Sequence, residues 1–245
     1  MSLKLITPDW PAPPIVRTLV TTRFEGVSQN AYRGLNLGDH VGDSWVDVAQ
    51  NRTLVRELLP SEPLWLKQVH GTTVAYADNL NEVIEADAAV ARRVNAVCTV
   101  LTADCLPVLF CATDGSVVGA AHAGWRGLAA GVLEQTVEAM GHPPEQIMVW
   151  FGPAIGPSAF EVGDEVRQIF VADLPQAAGA FKGKGSGKWL ANIYHLARLR
   201  LGQVGVTQIY GGDLCTYKDA SRFYSYRRDG VTGRMGSMIW IAGAS

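Results

Sequence analysis

The sequence predicts a mixed α/β fold. Short apolar segments arrive in runs through the middle of the chain, each closed by turn residues, whereas segments with helical spacing come in clumps around them. The two kinds do not alternate regularly as they would in a doubly wound parallel sheet. With 245 residues, 48% of them hydrophobic and 18% charged, the chain can bury a substantial core. No repeat or linker divides it, so a single domain over 1–245 is expected.

Residues 15–21 read as a strand, and the Gly- and Asn-rich stretch 26–42 as a long loop. Asp43 is placed to cap a helix whose apolar positions Val46, Ala49, Leu54, Val55, Leu58 and Leu59 stop near Pro60. Strands are then predicted over 64–69, 72–76, 86–90, 96–101, 106–111 and 117–121. Helical spacing returns over 127–140, followed by a strand at 147–151, a helix near 163–171 and another over 192–203. Late strands are expected at 208–210, 222–226 and 234–241. FKGKGSGKWL (181–190) imitates a phosphate-binding loop, but Lys182 stands where the first glycine is needed and Trp189 where Ser or Thr is needed. A flexible surface loop is expected there.

Charge narrows the partners. Lys plus Arg number 21 against 23 Asp plus Glu, a net charge of -2, and no basic run is long enough to neutralise a nucleic-acid backbone or an acidic membrane. The N-terminal stretch has no apolar signal region, and no window reaches a membrane span. A cytoplasmic protein is expected. Its four cysteines, without regular spacing, suit reduced thiols better than a disulfide framework.

The chemistry concentrates in TADCLPVLFCATDGSVVGAAHAGWRG (102–127), where Cys105 and His122 stand at breaks in an oily run. Ala112-Thr113-Asp114-Gly115 is hairpin chemistry. If the loop takes all four residues, Cys105 faces His122 with β-carbons about 5 Å apart. If Asp114-Gly115 is a two-residue turn, His122 faces Pro107 and meets Cys105 diagonally. Either register puts thiol and imidazole on one face at the open end of the hairpin. WLKQVHG (65–71) ends another apolar strand in the same way and offers His70 as a third member. Two imidazoles and a thiolate with one position left open form a catalytic zinc set, although the spacing matches no compact zinc motif. A Cys–His hydrolase, with Cys105 as nucleophile and His122 as base, uses the same residues differently.

The chain also resembles the YfiH-type family, known too as laccase-domain or polyphenol oxidase family proteins and as peptidoglycan editing factors. The likeness runs in order through TTRFEGVS (21–28), LNLGDHVGD (35–43), WLKQVHG (65–71), TADCLPVLF (102–110), HAGWRG (122–127), GPAIGP (152–157), FEVGDEV (160–166) and SYRRDGVTGRM (225–235). The resemblance implies a single α/β/α layered domain with a mixed β-sheet and zinc held by His70, Cys105 and His122. It also implies phosphorolysis of adenosine, inosine and methylthioadenosine, and hydrolytic deamination of adenosine.

That chemistry asks for more residues. Phosphorolysis passes through a cationic sugar and needs an anionic phosphate held in place, so Arg23 and Arg126 are the candidate phosphate contacts, with surface ion pairs as the alternative. Asn36 is a candidate for ribose or base. A metal that lowers the pKa of water supplies hydroxide for deamination. Asp104 is a candidate for shuttling a proton or orienting a ligand, or else simply forms the turn. His40 is kept as an outer contact, while His142 and His195 are read as solvated. Copper would fit the same three ligands, but a multicopper oxidase needs on the order of ten histidines and this chain has 5. Purine nucleosides and phosphate are the expected partners, with a monomer or homodimer both compatible. A cell-wall precursor hydrolase, a copper oxidase and a metal-stabilised binding module are the alternatives.

Overall fold

Buried strands that are oily on both faces set the architecture. The computed structural model describes residues 3–78 and 84–243. Its first half runs β1 (Leu5–Ile6), β2 (Val16–Thr21), α1 (Trp45–Arg56), β3 (Val74–Tyr76), β4 (Ala88–Ala91), β5 (Cys98–Thr102), β6 (Leu106–Ala112) and β7 (Val118–Ala123). There follow α2 (Trp125–Ala130), α3 (Val132–Met140), β8 (Ile147–Phe151), β9 (Glu161–Gly163), α4 (Asp164–Asp173), β10 (Phe181–Gly185) and β11 (Lys188–Ala191). The chain closes with α5 (Ile193–Gln203), β12 (Gln208–Gly211), α6 (Tyr226–Asp229) and β13 (Met235–Ile241).

Six strands form a mixed sheet in the order β12-β8-β6-β7-β4-β3, parallel at its two edges and antiparallel between them. Four more form an antiparallel sheet, β1-β2-β13-β5, and three a ribbon, β10-β11-β9. All of β6 is buried. Leu106, Val108 and Phe110 enter a core with Leu128, Leu133 and Met140 beneath α2 and α3, and with Leu196 and Leu201 of α5. Leu109 and Cys111, of opposite parity, meet Val16, Val20, Val100 and Ile239 of the second sheet. The far side of that sheet, Leu19, Leu101, Met238 and Trp240, packs on Leu35, Leu37 and Val55. Helices thus cover both outer faces as expected, and the middle of the layering is two sheets thick. No helix among the described residues is long and apolar enough to cross a membrane.

Several elements differ from the sequence expectation. Residues 64–69 make only isolated bridges, Leu64 to Cys98 and Lys67 to Glu85, because the backbone that follows turns aside to bond a buried carboxylate. The helix expected over 127–140 is two helices, broken at Gly131, whose φ of 99° no continuous helix allows. Ser44, not Asp43, caps α1; the Asp43 carboxylate instead accepts bonds from Ser28 and Asn36. Residues 222–226 are not a strand, and Ser225 caps the short helix α6. The expected surface loop at 181–190 is a β-hairpin, closed by Ser186 and Gly187 with φ of 50° and 70°, the handedness a two-residue turn requires.

Tyr194 of α5 fastens the turn after β8: its buried hydroxyl accepts the Ala154 N–H at 2.8 Å and donates to the Leu214 carbonyl at 2.8 Å. Tyr194→Phe strands the amide and is expected to lower stability by about 1–3 kcal/mol in urea unfolding. A wild-type midpoint would show that this hydroxyl is dispensable.

Candidate metal and substrate site

The β6–β7 hairpin takes the two-residue-turn register, with Pro107 opposite His122 and Leu106 opposite Ala123. Cys105, one residue before β6, therefore meets His122 diagonally at the open end. The third member arrives by a different route. His70 sits at φ 62°, held by a carboxylate that sequence reasoning passed over. Asp87, immediately before β4, has no exposed surface. Its oxygens accept the backbone N–H groups of Val69 at 3.1 Å, His70 at 2.9 Å and Gly71 at 2.6 Å, and His122 Nδ1 at 2.8 Å. Its carbonyl also accepts the His122 N–H at 2.7 Å. The β4–β7 register, Ala88 opposite Ala121, brings it there. Its signal was present in EADAAVA (85–91), where Asp87 is the last charge before an oily strand.

The side chains converge. Cys105 Sγ lies 3.7 Å from His70 Nε2, the two imidazole rings stand 4.7 Å apart at 72°, and one donor atom from each of the three residues lies within 4.8 Å of the others. Burial pushes the Cys105 thiol up, but the imidazoles of His122 and His70 outweigh it and hold the pKa at about 6. Burial opposes charge on His122 too, yet Cys105 and Asp87 raise it to about 9. Burial likewise disfavours the Asp87 carboxylate, and the bonds from His122 and Gly71 outweigh that and lower its pKa. These are features of one coupled thiolate–imidazolium–carboxylate group. A soft thiolate and two imidazoles suit zinc with one corner open. Asp87 accepts from Nδ1 of His122, so Nε2 is the nitrogen left to ligate.

The cluster opens into a cavity of about 500 Å³. Asp104, Arg126 and His40 line it with the cluster, whereas Arg23 and Asn36 do not. The Arg23 guanidinium lies over Tyr224 and reaches the carbonyls of Ala220 and Arg33. Asn36 is wholly buried and bonded to Gly38, Asp43 and the Arg234 N–H. Both staple the long loop rather than face the cavity. Asp104, at φ 88°, accepts Thr216 Oγ1 at 2.6 Å and the Arg227 N–H at 2.7 Å. Arg227 and Arg234 also line the cavity, and sequence reasoning did not single them out, because Arg227 follows a segment read as a strand (222–226) and Arg234 opens another (234–241). Their signal was the run of arginines in SYRRDGVTGRM. His142 bonds Ser116 at 3.0 Å, and neither it nor His195 lines this cavity.

A family described as multi-copper polyphenol oxidoreductase laccase matches residues 17–242. The chain belongs to this family. It is 54% identical over 237 residues to a Pseudomonas aeruginosa relative named a purine nucleoside phosphorylase, covering 96% of this chain and 98% of the relative. YfiH of Escherichia coli K12, named in the same way, is 52% identical over 246 residues, covering 97% and 99%. A solved Neisseria meningitidis structure matches with TM-score 0.95 at 52% identity, covering 98% and 99% of the two chains. YlmD from Geobacillus stearothermophilus matches with TM-score 0.86 at 31%, again covering 98% and 99%. The YfiH-type resemblance carried by the motifs is thereby established, as is the mixed α/β fold.

A β-carbon added at Gly124 would lie 2.5 Å from His70 Cδ2 and 3.1 Å from Cys105 Sγ. Gly124→Ala is expected to lower the affinity of the cluster for a divalent metal such as zinc at least about tenfold while changing unfolding by no more than about 1–3 kcal/mol, the usual cost of overpacking; unaltered affinity in a chelator competition would contradict the packing. In metal-free protein, alkylation of Cys105 should rise with pH as thiolate forms, half-maximal near pH 6 rather than near the ordinary 9. Mass spectrometry of the alkylated peptide across pH 5–10 reads this directly, and a midpoint near 9 would show that the imidazoles do not stabilise the thiolate.

Proposed function

We propose that this chain is a cytoplasmic zinc-dependent purine nucleoside enzyme. It would split adenosine, inosine and methylthioadenosine with phosphate to free base and (methylthio)ribose 1-phosphate, and deaminate adenosine to inosine. The observation that carries the reading is the pairing, in one cavity, of the His70–Cys105–His122 cluster with the guanidinium groups of Arg126, Arg227 and Arg234. The names of the relatives point the same way. Bound zinc would supply Lewis acidity to activate water for the deamination.

The chain's own residues divide the remaining work. Arg126 is exposed and rests on the Trp125 ring at 4.3 Å, so its N–H groups are available to a phosphate. Arg227 and Arg234 spend N–H groups on the carbonyls of Glu161, Thr232 and Gly233 and contribute mainly fixed positive charge. An anion needs that charge, because the Cys105 thiolate and Asp104 repel it. Asp104 acts by orientation, holding the Arg227 N–H, and Asn36 likewise holds the Arg234 N–H. Arg23 supports the loop at one remove.

Adenosine incubated with zinc-loaded protein and phosphate should give adenine and ribose 1-phosphate, with slower inosine formation when phosphate is omitted. His70→Ala, Cys105→Ala and His122→Ala should each lose the one zinc per chain and both reactions. Arg126→Lys should raise KM for phosphate about tenfold or more, from the loss of a charge-assisted forked contact, with less effect on KM for adenosine. Adenosine left unchanged by the zinc-loaded protein would overturn the assignment.

The low thiol pKa beside a raised imidazole also favours a second reading, a Cys–His hydrolase acting on cell-wall precursors. That enzyme would be blocked by alkylation and indifferent to chelator. The zinc enzyme would lose activity to chelator and regain it with added zinc.

A further inference from the structure

A second cavity, of about 570 Å³, opens beside the first and shares His40, Tyr226 and Arg234 with it. Tyr226 stands on the boundary, 62% exposed, yet its backbone is firmly held. It opens α6, where Ser225 accepts the Arg228 N–H and Asp104 accepts the Arg227 N–H at 2.7 Å. The Arg228 side chain is tied to the carbonyls of Thr216 at 2.8 Å and Phe223 at 3.0 Å. A large aromatic side chain left in water on a fixed turn forgoes the stabilisation that burial would give.

The other non-histidine aromatic side chains lining the first cavity are already occupied. Arg126 lies over Trp125 at 4.3 Å, and Arg227 over Phe160 at 5.7 Å. No guanidinium is stacked on Tyr226 among the described residues. Its surroundings in the second cavity include Val41 and Val231, the latter 58% exposed, with Asp229 paired to Arg228 at 2.7 Å. Val41 and Val231 offer apolar surface beside the Tyr226 ring, and His40, Thr232 and Asp229 around them offer polar groups to the edge of a flat heteroaromatic ring.

We propose that Tyr226 is the stacking platform for the purine ring, with the base in the second cavity and the ribose reaching back toward Cys105 and the arginines of the first. The inference rests on the nucleoside reading above. It makes Tyr226 a binding residue selective for the base, independent of the phosphate contacts. Base stacking on an aromatic side chain is sequence-tolerant, since every base presents a π-face. The platform would therefore accept adenine and hypoxanthine alike.

The test compares wild type, Tyr226→Ala and Tyr226→Phe in two measurements: calorimetric binding of free adenine, and steady-state kinetics with adenosine and inorganic phosphate. Tyr226→Ala is expected to weaken adenine binding and raise KM for adenosine, each on the order of tenfold, the scale of losing one stacked base. KM for phosphate and kcat should stay within about twofold, and Tyr226→Phe should restore the adenosine KM. Adenine binding that is indifferent to Tyr226→Ala overturns the platform even if adenosine is turned over. Impairment of Tyr226→Phe equal to that of Tyr226→Ala also overturns it, because the hydroxyl rather than the ring would then matter. Adenine binding that depends on the Tyr226 ring in a protein that leaves adenosine unchanged sinks the enzymatic assignment and leaves the platform standing.

Discussion

A carboxylate with no exposed surface has to meet its charge inside the protein, and Asp87 does so with four N–H donors from two distant segments. Leaving such a charge uncompensated costs several kcal/mol, so the donors are not free to move. Three consequences follow for the site. Residues 69–71 wrap around the carboxylate instead of joining a sheet, His70 takes a left-handed backbone with φ 62°, and the His122 ring is held by its Nδ1. Even the glycine at 127 belongs to this constraint, since a β-carbon there would lie 2.9 Å from the Gly71 carbonyl.

The thiol is placed by a second carboxylate in a parallel way. Asp104, in the turn before Cys105, is bound to Thr216 and to the Arg227 N–H, so the turn that presents the sulfur also anchors the arginine-bearing segment. Ligand cluster and cationic rim are mechanically one unit. They are electrically coupled as well: burial depresses the Arg234 pKa, and the opposing charges of Cys105 and Asp104 restore part of it. A rim built this way keeps its charge in a half-buried place where an isolated guanidinium would be costly.

How much of this was legible in the sequence depended on how conspicuous each residue was against its neighbours. His70, Cys105 and His122 stood out because a polar side chain closing an oily run has few ordinary explanations. Asp87 carried the same signal, but aspartate before a strand is common turn chemistry and only the β4–β7 register reveals its partners. Gly131 lay inside a good helical pattern, and periodicity does not report a φ of 99°. The segment 222–226 has the aromatics of a strand, and its backbone was claimed instead by the Ser225 cap and the Arg228 side chain. Arg23 was singled out as a guanidinium at the exit of the first strand and Asn36 as a polar residue in the long loop, but such groups mostly satisfy the loop's own backbone.

The laccase name of the family and the phosphorylase names of its members could each be served by the His70–Cys105–His122 cluster, and the cluster alone does not choose between them. Imidazole and thiolate accept copper as readily as zinc. The surroundings discriminate. A multicopper centre needs on the order of ten histidines, and only two of the 5 in this chain belong to the cluster. Oxidation of a neutral phenol gives no role to the guanidinium groups of Arg126, Arg227 and Arg234 that line the cavity, whereas an anionic co-substrate beside a thiolate calls for them. The proposed phosphorolysis therefore rests less on the donor set than on the arginines around it, and Asp104, in the turn that presents Cys105, also holds the Arg227 N–H.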